Sequence, residues 1–331
     1  MSVSADQAGR ETGTRAGAYA LSLLSVPLKV HVLRVLGEAP KPLIELRRAV
    51  GSPPQTTMRG HVRTLVEIGA VERRRQDGFP GSVDYVLEAP GRELLRVAEA
   101  LQGWLATSPD GEIELGSLAG KSAINALVAG WSSGIARALA ARPLSLTELS
   151  RLIPSLNYPS LERRLGALRL AGQIEARPSS TRGTPYGATE WLRRAVAPIV
   201  AGVRWERLHS PAGTAPVGRI DAEAALLLAI PLLRLPSDLS GLCRLTVEIR
   251  NGAGEPRLAG VMVGIEDGVV SSCTSRLEGR AGAWASGGPS RWTSAIMDQE
   301  TDALEIGGDC DLSLALLEGL HKALFRAPLP V

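Results

Sequence analysis

Apolar positions near the start of the chain follow helical spacing in three successive segments and then alternate in two shorter ones. The third helical segment, about Gln55–Ile68, places Met58, Val62 and Leu65 on one side and polar residues on the other. Glycine and proline residues separate the segments, as is usual where helices and strands end. The elements predicted for this first block (28–105) are helices over Leu28–Leu36, Leu43–Val50, Gln55–Ile68 and Gly91–Leu105, and strands over Ala70–Arg75 and Ser82–Leu87.

Three helices followed by a two-stranded hairpin are the element order of a winged helix-turn-helix domain. The hairpin turn, or wing, is predicted over Asp77–Gly81, which is rich in glycine and proline. In such a domain the third helix lies in the major groove of DNA, and its N-terminal residues meet the base edges. The first block is therefore predicted to be a DNA-binding module.

The same pattern returns about 103 residues later, which predicts an internal duplication. Gly69 aligns with Gly172 at this offset; past one loop the offset is 101, and Trp104 aligns with Trp205. The connection between the two copies is predicted over Thr107–Lys121. The elements predicted for the second block (135–206) are helices over Ile135–Ala140, Leu146–Ile153, Pro159–Leu170 and about Glu190–Glu206, with a wing turn over Pro178–Gly183.

After a linker at His209–Gly218 the pattern changes to a mixture of alternating and helical segments. Such a mixture predicts an α+β layer, with helices on one face of a sheet. A turn is predicted over Asn251–Gly254, and Asp311 is predicted near the N-cap of the last helix. The predicted elements are helices over Asp221–Leu235, Ser290–Gln299 and Asp311–Phe325, and strands over Leu242–Arg250, Leu258–Glu266, Val269–Arg276, Arg280–Ala285 and Ala303–Gly307.

The whole chain is thus predicted to be α+β, with two tandem winged helix-turn-helix domains followed by an α/β layer domain. The boundaries follow from the pattern: 20–106 for the first winged helix, 121–207 for the second and 219–327 for the layer domain. A length of 331 residues suits two or three domains.

Charge is distributed unevenly along the chain. Residues 1–207 hold 27 Lys and Arg against 19 Asp and Glu, a net charge of +8. Residues 208–331 hold 10 against 15, a net charge of −5, so the two parts sum to +3. The basic part suits a polyanion, and its arginines suit bidentate contacts with phosphate and guanine.

Several classes of site and location are disfavoured by the sequence. Cys243, Cys273 and Cys310 form no CxxC pair, so neither a disulfide framework nor a metal site is expected. We find no Ser/His/Asp order, no HExxH and no nucleotide-binding loop, so neither an enzyme nor a cofactor is expected. The longest apolar stretch, 222–235, is shorter than the ~20 residues that span a bilayer. Because the N-terminus also lacks a signal-peptide core, we expect a cytoplasmic protein without membrane association.

The residues of the first block resemble a known family. The stretch from Leu33 to Arg74, LRVLGEAPKPLIELRRAVGSPPQTTMRGHVRTLVEIGAVERR, and the later YVLEAPGRELLRVAEALQGW are similar to HxlR-type winged-helix regulators of bacteria. The second block, RALAARPLSLTELSRLIPSLNYPSLERRLGALRLAGQIEAR, is a weaker relative. The resemblance implies a transcriptional regulator. Family members typically bind DNA as dimers, so the chain is expected to act either as a monomeric pseudodimer or as a homodimer.

Candidate DNA contacts follow from the side of each third helix that points away from its apolar residues and from the wings. Hydroxyl and guanidinium groups at these places are suitable partners for bases and phosphates. Glu162, beside Arg163, would repel phosphate, so the second block is expected to bind DNA less well. The candidates are Thr56, Thr57, Arg59, Arg63, Arg73, Arg74 and Arg75 in the first block, and Ser160, Arg163, Arg164, Arg177 and Arg182 in the second.

The last third resembles a different family. Its ending, RWTSAIMDQETDALEIGGDCDLSLALLEGLHKALF, is similar to sterol-carrier-protein-like domains, which hold hydrophobic molecules between a sheet and helices. The resemblance implies a pocket for a small hydrophobic ligand, with Trp284, Trp292 and Met297 as candidate lining residues.

Two functions remain open from the sequence. The first is a sequence-specific regulator that binds double-stranded DNA and responds to a ligand through its last third. The alternative is a protein that sequesters a small molecule, for example for self-resistance, on a winged-helix scaffold that has lost DNA affinity. Binding to operator DNA at physiological salt separates the two. A third class, a DNA-repair or nuclease-like enzyme with tandem winged helices, needs catalytic residues in the basic part, and we find none grouped there. Base excision or cleavage of DNA would identify that class.

Overall fold

The computed structural model describes residues 16–75, 83–178, 183–209, 216–250 and 256–326. The predicted turns at 77–81 and 251–254, and most of the one at 178–183, lie outside these residues. The helices are α1 (Ala18–Leu24), α2 (Pro27–Glu38), α3 (Leu43–Ala49), α4 (Gln55–Glu67), α5 (Ala89–Ala106), α6 (Leu118–Gly130), α7 (Ser133–Ala141), α8 (Leu146–Leu152), α9 (Tyr158–Leu170), α10 (Glu190–Arg194), α11 (Val196–His209), α12 (Arg219–Ala229), α13 (Pro289–Met297) and α14 (Cys310–Phe325). The strands are β1 (Lys41–Pro42), β2 (Val71–Arg75), β3 (Val83–Leu87), β4 (Leu144–Ser145), β5 (Ile174–Ala176), β6 (Pro185–Ala188), β7 (Gly241–Ile249), β8 (Arg257–Glu266), β9 (Val269–Thr274), β10 (Ala283–Gly287) and β11 (Glu305–Gly308).

The described residues fall into two compact units. The N-terminal unit contains the described residues within 14–128 and 198–215, and the C-terminal unit contains those within 129–197 and 216–331. The unit boundaries fall inside α6 and inside α11. The chain is thus a mixed α+β protein that begins with a helical region, while the division into three consecutive domains stays a prediction.

In the N-terminal unit, α2, α3 and α4 pack together and a small sheet follows them. The sheet has the order β1-β3-β2 and is antiparallel, with Val71 opposite Leu87 and Lys41 opposite Tyr85. Among the buried side chains of α2, Val30, Leu33 and Leu36 are three residues apart and Val32 and Leu36 are four apart, as on one side of an amphipathic helix. These side chains lie beside Met58, Val62 and Leu65 of α4.

In the C-terminal unit, helices α7, α8 and α9 and strands β4, β5 and β6 repeat this element order. The sheet order is β4-β6-β5, again antiparallel, with Leu144 opposite Tyr186 and Ile174 opposite Ala188. The buried residues of α9 are Leu161, Leu165 and Leu168.

The rest of the C-terminal unit is built on a five-stranded sheet of order β11-β10-β7-β8-β9. Its pairs are antiparallel except β10 with β7, which run parallel because the chain crosses from β9 to the other side of β7. Helices α12, α13 and α14 pack on β8, β7 and β10 respectively.

Several predicted boundaries were wrong, each for a local reason. The helix predicted over about 190–206 is two helices, because Pro198 has no N–H to bond the carbonyl of Arg194. The helix predicted over 221–235 ends at Ala229, and a 3-10 turn that contains Pro231 follows it. The N-cap of the last helix is Asp309, whose side chain accepts from the N–H of Leu312, and Asp311 lies in the first turn, near the cap as predicted.

Within the part of the chain that the structure describes, no single helix is long and apolar enough to cross a membrane. Helices α1 and α2 meet the length and composition criteria only as a pair, and they are bent by 85° relative to each other.

Candidate nucleic-acid interface

Helix α4 is fixed by its apolar side and presents its polar side to solvent. Met58, Val62 and Leu65 are fully or almost fully buried, whereas Thr56 and Thr57 are exposed. Four residues that the sequence assigned to DNA contact therefore lie on the outer surface of one helix. They are Thr56, Thr57, Arg59 and Arg63, all exposed.

The turn between α3 and α4 sets the entry of α4. Gly51 has a φ of 87°, which is in the left-handed region that glycine adopts without a steric penalty, and it ends α3. The Arg47 guanidinium donates from Nε to the carbonyl of Pro53 at 2.8 Å and so holds the far side of the turn. The N-cap of α4 is Pro54, which has no side-chain hydrogen bond to the first turn.

Ionic contacts along α4 are sparse near its N-terminus. The one ion pair that the described residues show on this helix joins Arg63 Nε to Glu67 at 3.6 Å, with both side chains mostly exposed. Such an exposed pair contributes little to stability and is readily exchanged for another anion. Because α4 carries no acidic residue before Glu67, the exposed side chains of its N-terminal half are polar or cationic.

Two ionisable groups, His61 of α4 and Lys29 of α2, interact electrostatically. His61 of α4 is half-buried, and burial together with the charge of Lys29 lowers the pKa of its imidazole. Burial also lowers the pKa of Lys29, which lies in the first turn of α2. The sequence analysis did not single out Lys29, because nothing in the local pattern shows that α2 and α4 place it near His61.

The three arginines of β2 differ in their surroundings. Arg73 and Arg75 lie on one side of the strand and Arg74 lies on the other, together with Glu72. The Arg74 guanidinium contacts Glu72 at 2.6 Å and Glu88 at 3.2 Å, and the hydrogen bond that it donates to the Glu72 carboxylate raises its pKa. All three side chains are exposed, but Arg74 already has two carboxylate partners.

The corresponding residues of the second block are more engaged. The Arg164 guanidinium donates to the carbonyl of Trp131 at 3.1 Å and is half-buried. The backbone N–H of Ser160 is bonded by the N-cap residue Asn157. Arg163 is exposed, with the exposed carboxylate of Glu162 next to it in sequence.

The second wing is described only at its base. Arg177 forms an ion pair with Glu175 at 2.7 Å, and its backbone N–H donates to the carbonyl of Pro185. Arg182 lies outside the described residues.

The three candidate ligand contacts have different environments. Trp284 of β10 is 38% exposed and lies over Gly307 of β11. Trp292 of α13 is buried and its indole N–H donates to the carbonyl of Thr246 at 2.8 Å. Met297, at the end of α13, is half-buried.

The helix-turn-helix geometry of the first block agrees with a comparison to known families. Residues 24–111 match the HxlR-like helix-turn-helix family model. The match spans α2 to α5 with both strands of the wing hairpin, and it covers less than half of the chain. No curated protein shows significant similarity to the chain. The match points to a DNA-binding transcriptional regulator.

Proposed function

We propose that this protein is a sequence-specific transcriptional regulator that reads double-stranded DNA with α4 and holds the backbone with β2. The observation that carries the proposal is the outer face of α4. Thr56, Thr57, Arg59 and Arg63 are exposed together on a helix whose opposite side is buried, in the block that matches an HxlR-like helix-turn-helix. Hydroxyls suit base or phosphate contacts, and arginine suits guanine.

The N-terminus of α4 supports the same assignment. Since Pro54 supplies no side-chain cap, the first N–H groups of this 13-residue helix are left to other partners. A helix N-terminus with such donors favours a phosphate. Arg73 and Arg75, exposed on the neighbouring hairpin, supply charge for further phosphates.

In this proposal the second block is a second winged helix-turn-helix with a smaller part in binding. Its element order and sheet order equal those of the first block. Arg164 and Arg177 have partners within the protein. Among the described candidates of this block, Ser160 and Arg163 are therefore the ones that we expect to contact DNA.

We also propose that the last third is a sterol-carrier-like module that responds to a small hydrophobic ligand and transmits its state through the second block. Within the C-terminal unit, Glu223 of α12 is 1% exposed and contacts Arg137 of α7 at 2.6 Å. Ser133 of α7 donates to Asp221 of α12, and Arg194 of α10 donates to the carbonyl of Ala323 at 3.4 Å. These contacts join the module to α7 and α10.

The DNA-binding proposal is tested by a genome-wide map of bound sites. We expect the wild-type chain to give discrete sites that share a sequence, and Arg59→Ala with Arg63→Ala to lose them. Arg207→Ala, which removes an exposed arginine of α11, serves as the matched control and should leave the map unchanged. Binding without any shared sequence would contradict the proposal, and an absence of DNA binding would favour the sequestering function.

The ligand-response proposal has a separate test. The affinity of the full chain for a DNA site taken from the map of bound sites is measured with and without a fluorescent fatty-acid analogue. Coupling between two sites is typically about 5- to 150-fold and must be reciprocal. We expect the analogue to change the affinity for DNA, and Trp284→Ala to reduce that change. No binding of the analogue, or binding without any effect on DNA affinity, would remove the sensor role.

A further inference from the structure

Two helices that flank the second block in sequence fold with the first block. Helix α6 precedes the second block and α11 ends it, yet residues 118–128 and 198–209 lie in the N-terminal unit with α1 and α5. At the repeat offset of 103, α6 corresponds to α1. At the later offset of 101, the end of α11 corresponds to the end of α5, where Trp205 matches Trp104.

The end of α11 is anchored to α1 by a buried carboxylate. Glu206 is 3% exposed, and its two oxygens accept hydrogen bonds from the backbone N–H groups of Gly17, Tyr19 and Ala20 at 2.7, 2.8 and 3.1 Å. These are donors at the N-terminus of α1, which its own N-cap residue does not bond through a side chain. A residue almost 190 positions away therefore caps α1.

The backbones of α1 and α11 also approach closely. A Cβ atom on Gly17, whose φ is 83°, would lie 2.9 Å from the carbonyl oxygen of Ile199, and one on Gly202 would lie 2.9 Å from the oxygen of Gly17. The Trp205 indole donates to the carbonyl of Pro90 at the start of α5, at 2.7 Å. Its ring centroid is 6.3 Å from that of Tyr19. These contacts depend on the particular residues of α11 and of the helices that it touches, α1 and α5.

The equivalent positions meet between α6 and α5. Gly120 corresponds to Gly17, and a Cβ atom on Gly120 would lie 3.5 Å from Cδ1 of Leu105, which corresponds to Glu206. Leu105 is fully buried and its carbonyl accepts from the N–H of Ile113 at 3.3 Å. The helix before each block thus meets the helix at the end of the other block.

We propose that the chain is an internal dimer, in which the two blocks exchange their flanking helices and no second chain is needed. The inference rests on the proposed second winged helix. Reciprocal contact of equivalent positions is the property of a two-fold pair. The apolar residues of α1 and α5 that such a pairing uses are already buried, among them Leu21, Leu24, Leu101, Trp104 and Leu105. Residues 198–209 of the same chain contact α1 at Gly17, Tyr19 and Ala20 and the start of α5 at Pro90.

The test measures the solution mass of the full chain by sedimentation, together with its thermal unfolding midpoint. We expect the wild-type chain to have the mass of one chain at all concentrations. Glu206→Ala should lower the midpoint and produce a species of twice that mass as concentration rises, because a released α11 leaves α1 and α5 to pair with another chain. Arg207→Ala is the matched control, since Arg207 is the exposed neighbour, and it should behave as the wild type.

Each other result overturns the inference. A wild-type chain that is already a dimer would show that a second chain is needed. If Glu206→Ala has the unfolding midpoint and the mass of the control, the contact between Glu206 and α1 contributes nothing to stability or to the monomeric state. A destabilised variant that stays monomeric would make it an ordinary packing contact. Glu206→Gln, which keeps one acceptor oxygen, replaces Glu206→Ala in the same test if the alanine variant does not fold. If the wild-type chain is monomeric but does not bind DNA, the proposed function is refuted and this inference stands.

Discussion

Helices α4 and α9 occupy the same place in the two blocks, share the positions of their buried residues and differ on the outer surface. Their buried residues are Met58, Val62 and Leu65 in α4, and Leu161, Leu165 and Leu168 in α9, all at the offset of 103. At the same offset, Arg59 is replaced by Glu162 and Glu67 by Leu170, which is 92% exposed. The two helices therefore have the same pattern of buried residues and different charges on the exposed side.

The N-termini of the two helices differ in the same sense. The side chain of Asn157 accepts from the N–H of Ser160 in α9, whereas α4 begins after Pro54 without such a bond. The helix before α9 also has a capping box, in which Ser145 and Glu148 bond each other's backbone N–H groups. The backbone N–H and the hydroxyl of Ser145 and the guanidinium of Arg142 donate hydrogen bonds to the Glu148 carboxylate, and they lower its pKa to about 2. The second block thus caps these helices with its own side chains, whereas α4 in the first block has no side-chain cap.

The largest expected effect comes from exchanging the charges that distinguish the two helices. Arg59→Glu should weaken DNA binding by about 1–3 kcal/mol, roughly 5- to 150-fold, because it puts a carboxylate beside phosphate. Glu162→Arg should strengthen binding if α9 also faces DNA. The measurement is fluorescence anisotropy, at fixed salt, with a duplex that contains a site from the map of bound sites. Arg207→Glu makes the same charge change on α11, and an equal loss there would show that only net charge matters.

The wing provides the next effect. Replacing Arg73 and Arg75 by Ala should reduce the slope of log affinity against log salt by about two units, one for each lost phosphate contact. Arg74→Ala should change the slope less, since Glu72 and Glu88 already hold that guanidinium. The experiment is a salt titration of binding. An Arg74 effect as large as that of its neighbours would mean that the two carboxylates do not restrain it in the complex.

The caps of the second block should affect stability more than binding. Asn157→Ala removes the bond to the Ser160 N–H and should lower the free energy of unfolding by about 0.5–2 kcal/mol. Asn157→Ser retains a capping oxygen and should restore most of the loss. Chemical denaturation measures both variants. A large loss of DNA affinity with unchanged stability would place the N-terminus of α9 in the interface.

A smaller effect is expected from pH at His61. Because its folded-state pKa is lowered below the ordinary value of 6.5, the folded protein binds fewer protons than the unfolded chain near that pH. Stability should therefore fall as pH decreases through 6.5, and less so in His61→Gln. Protonation adds a positive charge on α4, so the affinity for DNA should rise over the same range. Identical pH profiles for wild type and His61→Gln would show that His61 does not titrate in this window.

Much of the first block could be predicted from the sequence. Apart from β1, the helices and strands from α2 to α5 lie within about two residues of the boundaries that apolar spacing and glycine or proline stops predict. Helices α1 and α6 were missed because α1 (AYALSLL) and α6 (LAGKSAINALVAG) are apolar and small on most sides, so their amphipathic pattern is weak. Strands β1 and β4 have two residues each and exist through pairing with β3 and β6.

The candidate site was predictable in its positions and not in its partners. The exposed side of α4 follows from the helical repeat alone. The bond from Arg164 to the carbonyl of Trp131, 33 residues away, and the contact of Arg74 with Glu88 depend on the folded chain. The capping of α1 by Glu206 is equally invisible in the sequence, because the two ends of the contact are 186 to 189 residues apart.

The central claim, that α4 reads DNA sequence, is tested most directly by selecting bound duplexes from a random library. The wild-type chain, Thr57→Ala and Arg59→Ala are compared with the α9 variant Arg163→Ala at the same salt. The account predicts one enriched sequence for the wild type, altered base preferences for the two α4 variants, and a smaller change for the α9 variant. An enriched sequence that is the same for the wild type and both α4 variants would contradict it.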